Sequence, residues 1–115
     1  MLSKEHRLRK QKDFDRVYKR GRAERTPLFI MRADKPETRV VRFAVVVSNK
    51  VSKHAVDRNR VRRRTQSALQ DMIAEGINPA DVVINFGNRA KDATKSEIYK
   101  YLQASLKKLG LLNSK

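Results

Sequence analysis

The feature that most constrains the fold is a long amphipathic segment that lies between two apolar runs. Residues 55–75 carry apolar side chains at helical spacing, and Gly76 follows them as a stop signal. The runs on either side, residues 40–47 and 81–86, are rich in valine, which is typical of β-strands. Two strands that are joined through a helix run parallel if they share one sheet. The sequence therefore predicts a β-α-β unit.

An aromatic stripe near the start of the chain predicts a short helix over residues 12–20. The members of this stripe are Phe14, Val17 and Tyr18. Residues 28–31 have the composition of a strand, and residues 34–37 have that of a turn. We therefore expect residues 28–31 to pair antiparallel with residues 40–47.

A capping box at Thr94 and Glu97 predicts a final helix. Its apolar face comprises Ile98, Leu102, Leu106 and Leu109. Residues 89–92, which precede it, are expected to form an exposed loop. The residues thus predict the order α-β-β-α-β-α within one domain over residues 1–115, with the helices packed on a mixed sheet.

Charge limits the partners of this domain. Lysine and arginine number 28 against 12 acidic residues, which gives a formal net charge of +16. Residues 1–25 carry 10 basic and 4 acidic side chains, and residues 50–64 carry 7 and 1, so each segment has a net charge of +6. Such an imbalance costs stability through self-repulsion unless a polyanion relieves it. A nucleic acid is the expected partner.

The inventory of reactive residues argues against autonomous catalysis. The chain has no cysteine, and its two histidines, His6 and His54, lie within basic segments away from any metal-ligand spacing. Asp71 and Glu75 are one helical turn apart and are typical of a solvated surface. The four glycines form no phosphate-binding loop. No run approaches the roughly 18 apolar residues that a membrane span needs, and we expect a cytoplasmic protein without membrane contact.

Arginines crowd the first turns of the long amphipathic segment. They are Arg58, Arg60, Arg62, Arg63 and Arg64. Planar guanidinium groups suit bidentate phosphate contacts and stacking on bases, and Asn59 among them can donate and accept hydrogen bonds. Lys50, Lys53 and His54 extend the cluster. The alternative is a merely solvated helix start, although cations at a helix N-terminus oppose its dipole unless an anion is bound.

The chain resembles the bacterial ribonuclease P protein subunit. The strings that carry this resemblance are VSNK at residues 47–50 and AVDRNRVRR at residues 55–63, with KDFDRVYKRG at residues 12–21 and DVVI at residues 81–84. It implies an α+β sandwich of three helices and a four-stranded mixed sheet, with room for a further strand before the long helix. It also implies a left-handed β-α-β crossover, against the general right-handed rule.

The resemblance implies that a partner RNA performs the catalysis. In that family the RNA subunit removes the 5′ leader of precursor tRNA with Mg²⁺, and the protein assists as an accessory subunit that is not catalytic alone and needs no cofactor of its own. The residues that would face the ribonuclease P RNA are Lys50, Lys53, Arg58, Asn59, Arg60, Arg62 and Arg63. Those that would line a cleft for the leader are Phe14, Tyr18, Phe29, Ile30 and Arg32. We expect the free protein to be monomeric.

Two alternatives stay open at this point. A structural RNA-binding protein of ribosomal type would also explain the size and charge, but it would not need an aromatic cleft beside a sheet. Phe14, Val17 and Tyr18 could equally serve only to pack the short helix on the core. Arg32 stands where the family often has an aromatic residue, so leader contacts there would be more electrostatic than stacked.

Overall fold

A computed structural model describes residues 2–112 and contains three helices and one four-stranded sheet. The helices are α1 (Gln11–Arg20), α2 (Ala55–Glu75) and α3 (Lys95–Lys108). The strands are β1 (Arg22–Arg25), β2 (Phe29–Asp34), β3 (Arg42–Val46) and β4 (Asp81–Phe86). This is the predicted α+β class, and α2 has the predicted bounds. Short 3₁₀ turns occupy Lys4–His6 and Asn88–Asp92.

The sheet order is β1-β2-β4-β3. Strands β3 and β4 are parallel neighbours joined through α2, so the predicted β-α-β unit is confirmed. The predicted antiparallel pairing of β2 with β3 is wrong, because β4 lies between them and β2 pairs antiparallel with β1 and β4. Strand β4 takes this central position because four consecutive residues, 81–84, are buried, as a strand covered on both faces requires.

Alternation along the strands assigns side chains to two faces of the sheet. One face carries Met31, Phe43 and Ile84 and packs against α2 and α3 in the main core. The other face carries Ala44 and Val83, which pack under α1 in a smaller cluster. Helix α1 covers only part of this second face.

Local signals fix the ends of the helices. The capping box that opens α3 is present, with Thr94 Oγ1 accepting from the Glu97 amide at 3.1 Å. Gly76 ends α2 with φ at 110°, a conformation that favours glycine. Residues 89–92, expected to be an exposed loop, lie in a 3₁₀ turn in which Arg89, Lys91 and Asp92 are exposed and Ala90 is fully buried.

Candidate RNA interface

The arginine-rich start of α2 lies on the surface beside the loop that connects it to β3. Lys50, Lys53, Asn59 and Arg63 are exposed, whereas Arg58, Arg60 and Arg62 are half-buried. The structure thus brings together all seven residues that the sequence predicts to face RNA, and we call them the arginine patch. The apolar stripe of α2 begins at the fully buried Val61, so the core anchors the patch from below.

Arg58 differs from the rest of the patch because its guanidinium turns back to the protein. Arg58 Nη1 donates to the carbonyl oxygens of Ser52 and Lys53, each at 2.9 Å. Ser52 Oγ donates to Asp57 at 2.7 Å and accepts from the amide of His54 at 3.1 Å. These contacts fix the loop that carries Lys50 and Lys53 against the first turn of α2.

Asp57 is the acidic residue of this region. The hydrogen bond from Ser52 lowers the pKa of its carboxyl, and the charges of Lys91 and Arg60 act in the same direction, against the effect of burial. Asp57 lies 3.4 Å from Arg60 and 3.9 Å from Lys91. One carboxylate in the first turn also suits the helix dipole, while the remaining cations of the patch stay available to an anion.

A buried ionic network fastens α1 to the sheet, and the sequence did not predict it. Arg16 contacts Asp81 and lies 3.0 Å from Asp13 and Asp34. Arg42 donates twice to Asp81, at 2.9 and 2.8 Å. Two arginines thereby bridge α1 and three strands. The one available signal was Asp81, an acidic residue that begins an otherwise apolar strand.

Three carboxylates of this network lie close enough to share a cation. They belong to Asp13, Glu37 and Asp81. The guanidinium groups of Arg16 and Arg42 already contact these oxygens, so the group does not fit a metal ion. Burial raises the pKa of Asp13, but a hydrogen bond with Glu37 and the charges of Arg42 and Arg16 outweigh it, and the net pKa lies below the ordinary value.

The opposite side of α1 faces an open part of the sheet. Tyr18 is 44% exposed, and its hydroxyl donates to Asn85 Oδ1 on β4 at 3.1 Å. The guanidinium of Arg32 on β2 lies over the Tyr18 ring, 5.3 Å from its centroid. Phe14, half-buried, packs on the cluster of Ala44 and Val83 one turn earlier in α1. We call this region, with Ile30 on its floor, the cleft.

Phe29, also predicted for the cleft, is among the residues that line the adjoining cavity, but its side chain is almost wholly buried. It is 2% exposed and belongs to the main core, on the face of the sheet opposite to Ile30. Its ring packs edge to face on Phe86, with the centroids 5.3 Å apart. No face of that ring is open to a base, because alternation along β2 directs residues 29 and 30 to opposite sides. Asn85, for which the sequence pattern gives no signal, also lies on the cleft floor.

A cavity of about 550 Å³ continues the cleft towards the arginine patch. Ile30, Val46 and Asn85 line its floor, and Arg25 and Lys50 bring cations to it. Lys50 belongs to the arginine patch as well, so the two predicted surfaces are contiguous. Within residues 2–112, no helix is long and apolar enough to cross a membrane.

The fold and these two surfaces define the class of a small, basic RNA-binding protein. The comparisons with known proteins narrow this class. The sequence profile of the family Ribonuclease P matches residues 2–110. The chain belongs to the bacterial ribonuclease P protein family, as the resemblance implied. It is thus an accessory component of an endonuclease that is a ribonucleoprotein and processes tRNA, and not a ribosomal-type RNA binder.

Individual relatives agree with this assignment. The ribonuclease P protein component of Bacillus velezensis is 34% identical over 96% of this chain and 94% of its own, and that of Clostridium botulinum is 32% identical over 96% and 99%. A solved ribonuclease P protein from Staphylococcus aureus superimposes with a TM-score of 0.83 at 28% identity, covering 94% of this chain and 98% of its own. The Thermotoga maritima protein, at 20% identity, a TM-score of 0.78 and coverage of 94% and 98%, supports the fold alone.

Proposed function

We propose that this protein binds ribonuclease P RNA through the arginine patch and holds the 5′ leader of precursor tRNA in the cleft. The observation that carries the proposal is the continuity of the two surfaces through Lys50. A catalytic RNA that is docked on the patch would lie beside the entrance of the cleft. The leader of a precursor bound to that RNA would then enter the cleft.

The chemistry of each surface suits its role. The patch presents exposed cations at Lys50, Lys53 and Arg63, which can replace the counterions of a folded RNA. Arg60 lies 3.4 Å from Asp57 and Arg62 donates to Asn59, so these two would share their guanidinium groups between the protein and the RNA. Within it, Arg58 holds the loop, while Arg60, Arg62, Arg63, Lys50 and Lys53 contact phosphates. In the cleft, Tyr18 and Phe14 offer aromatic surface to unpaired bases, and Arg32 adds a cation, which together give binding of single strands.

Catalysis in this proposal belongs to the RNA, with Mg²⁺ supplied to the RNA and not held by the protein. The protein lowers the need for Mg²⁺ because its cations offset part of the repulsion between catalytic RNA and substrate. We expect the free protein to be monomeric, to lie in the cytoplasm and to associate there with ribonuclease P RNA and the precursor tRNA.

The test compares two precursors that differ only in having a leader or lacking one. Holoenzyme reconstituted from this protein and ribonuclease P RNA should bind the precursor with the leader more tightly than the mature tRNA, and should cleave it at lower Mg²⁺ than the RNA alone. The matched control is the RNA alone with both substrates. Equal affinity for the two substrates in a holoenzyme whose assembly has been verified contradicts the proposed function.

A further inference from the structure

Three side chains in the cleft form an ordered series from three different elements. Asn85 on β4 accepts from the Tyr18 hydroxyl at 3.1 Å and so fixes the tilt of that ring. The ring in turn supports the guanidinium of Arg32, 5.3 Å from its centroid, in a cation–π contact. The orientation of Arg32 is therefore set before any RNA binds.

The hydrogen-bonding capacity of Arg32 is not used inside the protein. Among residues 2–112, no hydrogen bond or ion pair joins its guanidinium to another side chain or to the backbone, whereas Arg16 and Arg42 use theirs on carboxylates. The residue is half-buried. The N–H donors of a guanidinium lie in its own plane, so a contact made by its central carbon with a ring leaves them available to a ligand.

A planar pair of N–H donors fits one base better than the others. Guanine presents two adjacent acceptors, O6 and N7, and arginine bound to both is the commonest base-specific contact of proteins. The bases of a single strand are unstacked, so this edge is accessible in a leader. Adenine has an amino donor beside N7, and this donor would face a donor of the guanidinium. Pyrimidines do not have two adjacent acceptors on the corresponding edge.

We propose that Arg32, supported by Tyr18 and Asn85, makes the cleft selective for a guanine base in the leader. This proposal rests on the proposed function, because it needs the leader to lie in the cleft. It adds that Arg32 acts as a specificity-determining residue and not only as a phosphate contact. Arg25 also brings a cation to the cavity, but it is exposed and has no supporting ring in the described structure, so it gives charge without selectivity.

The experiment uses holoenzyme and a pool of precursor tRNAs whose leader is randomised. At limiting holoenzyme, the bound fraction should be enriched in guanine at one position, by about tenfold over adenine. Arg32→Lys keeps the charge and removes the planar donor pair, so it should abolish the enrichment, because the affinity for leaders with guanine falls to that for leaders with adenine. Arg25→Lys is the matched control and should retain the enrichment.

The two proposals fail in different ways. If the pool binds no better than mature tRNA, the proposed function fails. If the pool binds better but shows no guanine enrichment, or if the enrichment persists in Arg32→Lys, the cleft binds leaders without reading them through Arg32, and the present inference is overturned. Tyr18→Phe, which loses only the hydroxyl that contacts Asn85, should weaken the enrichment. Thermal unfolding of each variant verifies that it is folded.

Discussion

The two sides of α1 use the same kinds of residue for opposite purposes. On one side, Arg16 is 17% exposed and is surrounded by carboxylates, so its charge is neutralised inside the protein. On the other side, Arg32 rests on Tyr18 without an acidic partner in the described chain, and its charge is available to a ligand. An arginine in a basic protein is thus a poor indicator of RNA binding where, as at Arg16, burial and several carboxylates together engage its guanidinium.

The largest effect on stability is expected from disrupting the buried ionic network around Arg16. Arg16→Met would remove the cation that contacts Asp13, Asp34 and Asp81 and would leave Asp13 and Asp81 with Arg42 alone. Removal of one partner from a buried ion pair typically costs about 3–5 kcal/mol. We expect the free energy of unfolding to fall by about 3 kcal/mol in urea denaturation. Arg63→Met on the exposed patch is the control and should change it by less than about 0.5 kcal/mol. Similar losses in the two variants would mean that the network does not stabilise the docking of α1.

The open side is tested by removing the ring of Tyr18. Tyr18→Ala should weaken binding of a leader-bearing precursor to the holoenzyme by about 1–3 kcal/mol, the usual range for loss of stacking on one base. Binding of mature tRNA should not change, and the 44% exposure of the side chain limits the cost in stability. Phe14→Ala should act in the same direction, although its half-buried ring adds a packing cost. An equal loss with both substrates argues against a leader-binding cleft.

The arginine patch is a second surface with available cations, and we expect a substitution there to weaken assembly with ribonuclease P RNA. Arg60→Ala should weaken association with ribonuclease P RNA by roughly 1 kcal/mol and should make the logarithm of affinity less steep against the logarithm of salt by about one unit. Lys100→Ala on α3, an exposed cation outside both surfaces, should leave both quantities nearly unchanged. If the two variants behave alike, binding responds to net charge and not to the patch.

The difference between paired and unpaired arginines also marks what the sequence could predict. Helical periodicity gave α2 its bounds, and the arginine cluster was identified because its residues are contiguous in sequence. Strand β1, with the polar sequence RAER, carries no apolar alternation and was missed by the residue pattern. The insertion of β4 between β2 and β3 depends on long-range pairing, and the clue was that β4 is apolar on both faces.

The features that the sequence does not predict depend on contacts between residues that are far apart in the chain. Arg16 and Asp81 are 65 positions apart, and Tyr18 and Asn85 are 67 apart, so neither contact has a local signature. The sequence places Phe29, Ile30 and Arg32 in one strand but does not show the face of the sheet to which each points. Register along β2 decides that face: Phe29 packs in the main core, whereas Ile30 and Arg32 lie on the opposite side.

The smallest expected effect is on the pH dependence of the free energy of unfolding, which Asp13 in the buried ionic network influences. The pKa of Asp13 is lower in the folded protein than its ordinary value of 3.8, so the unfolded chain takes up a proton first as the pH falls. Its contribution to stability is therefore complete above that ordinary value and is lost as the pH falls through the lower, folded pKa. Urea denaturation between about pH 6 and about pH 3 should show stability declining towards acid, and less steeply in Asp13→Asn. Some slope should remain in that variant, because the pKa of Asp57 is lowered as well. An unchanged slope in Asp13→Asn would mean that the ionic network gains nothing from the charge of that carboxyl, and that the two sides of α1 differ in packing and not in electrostatics.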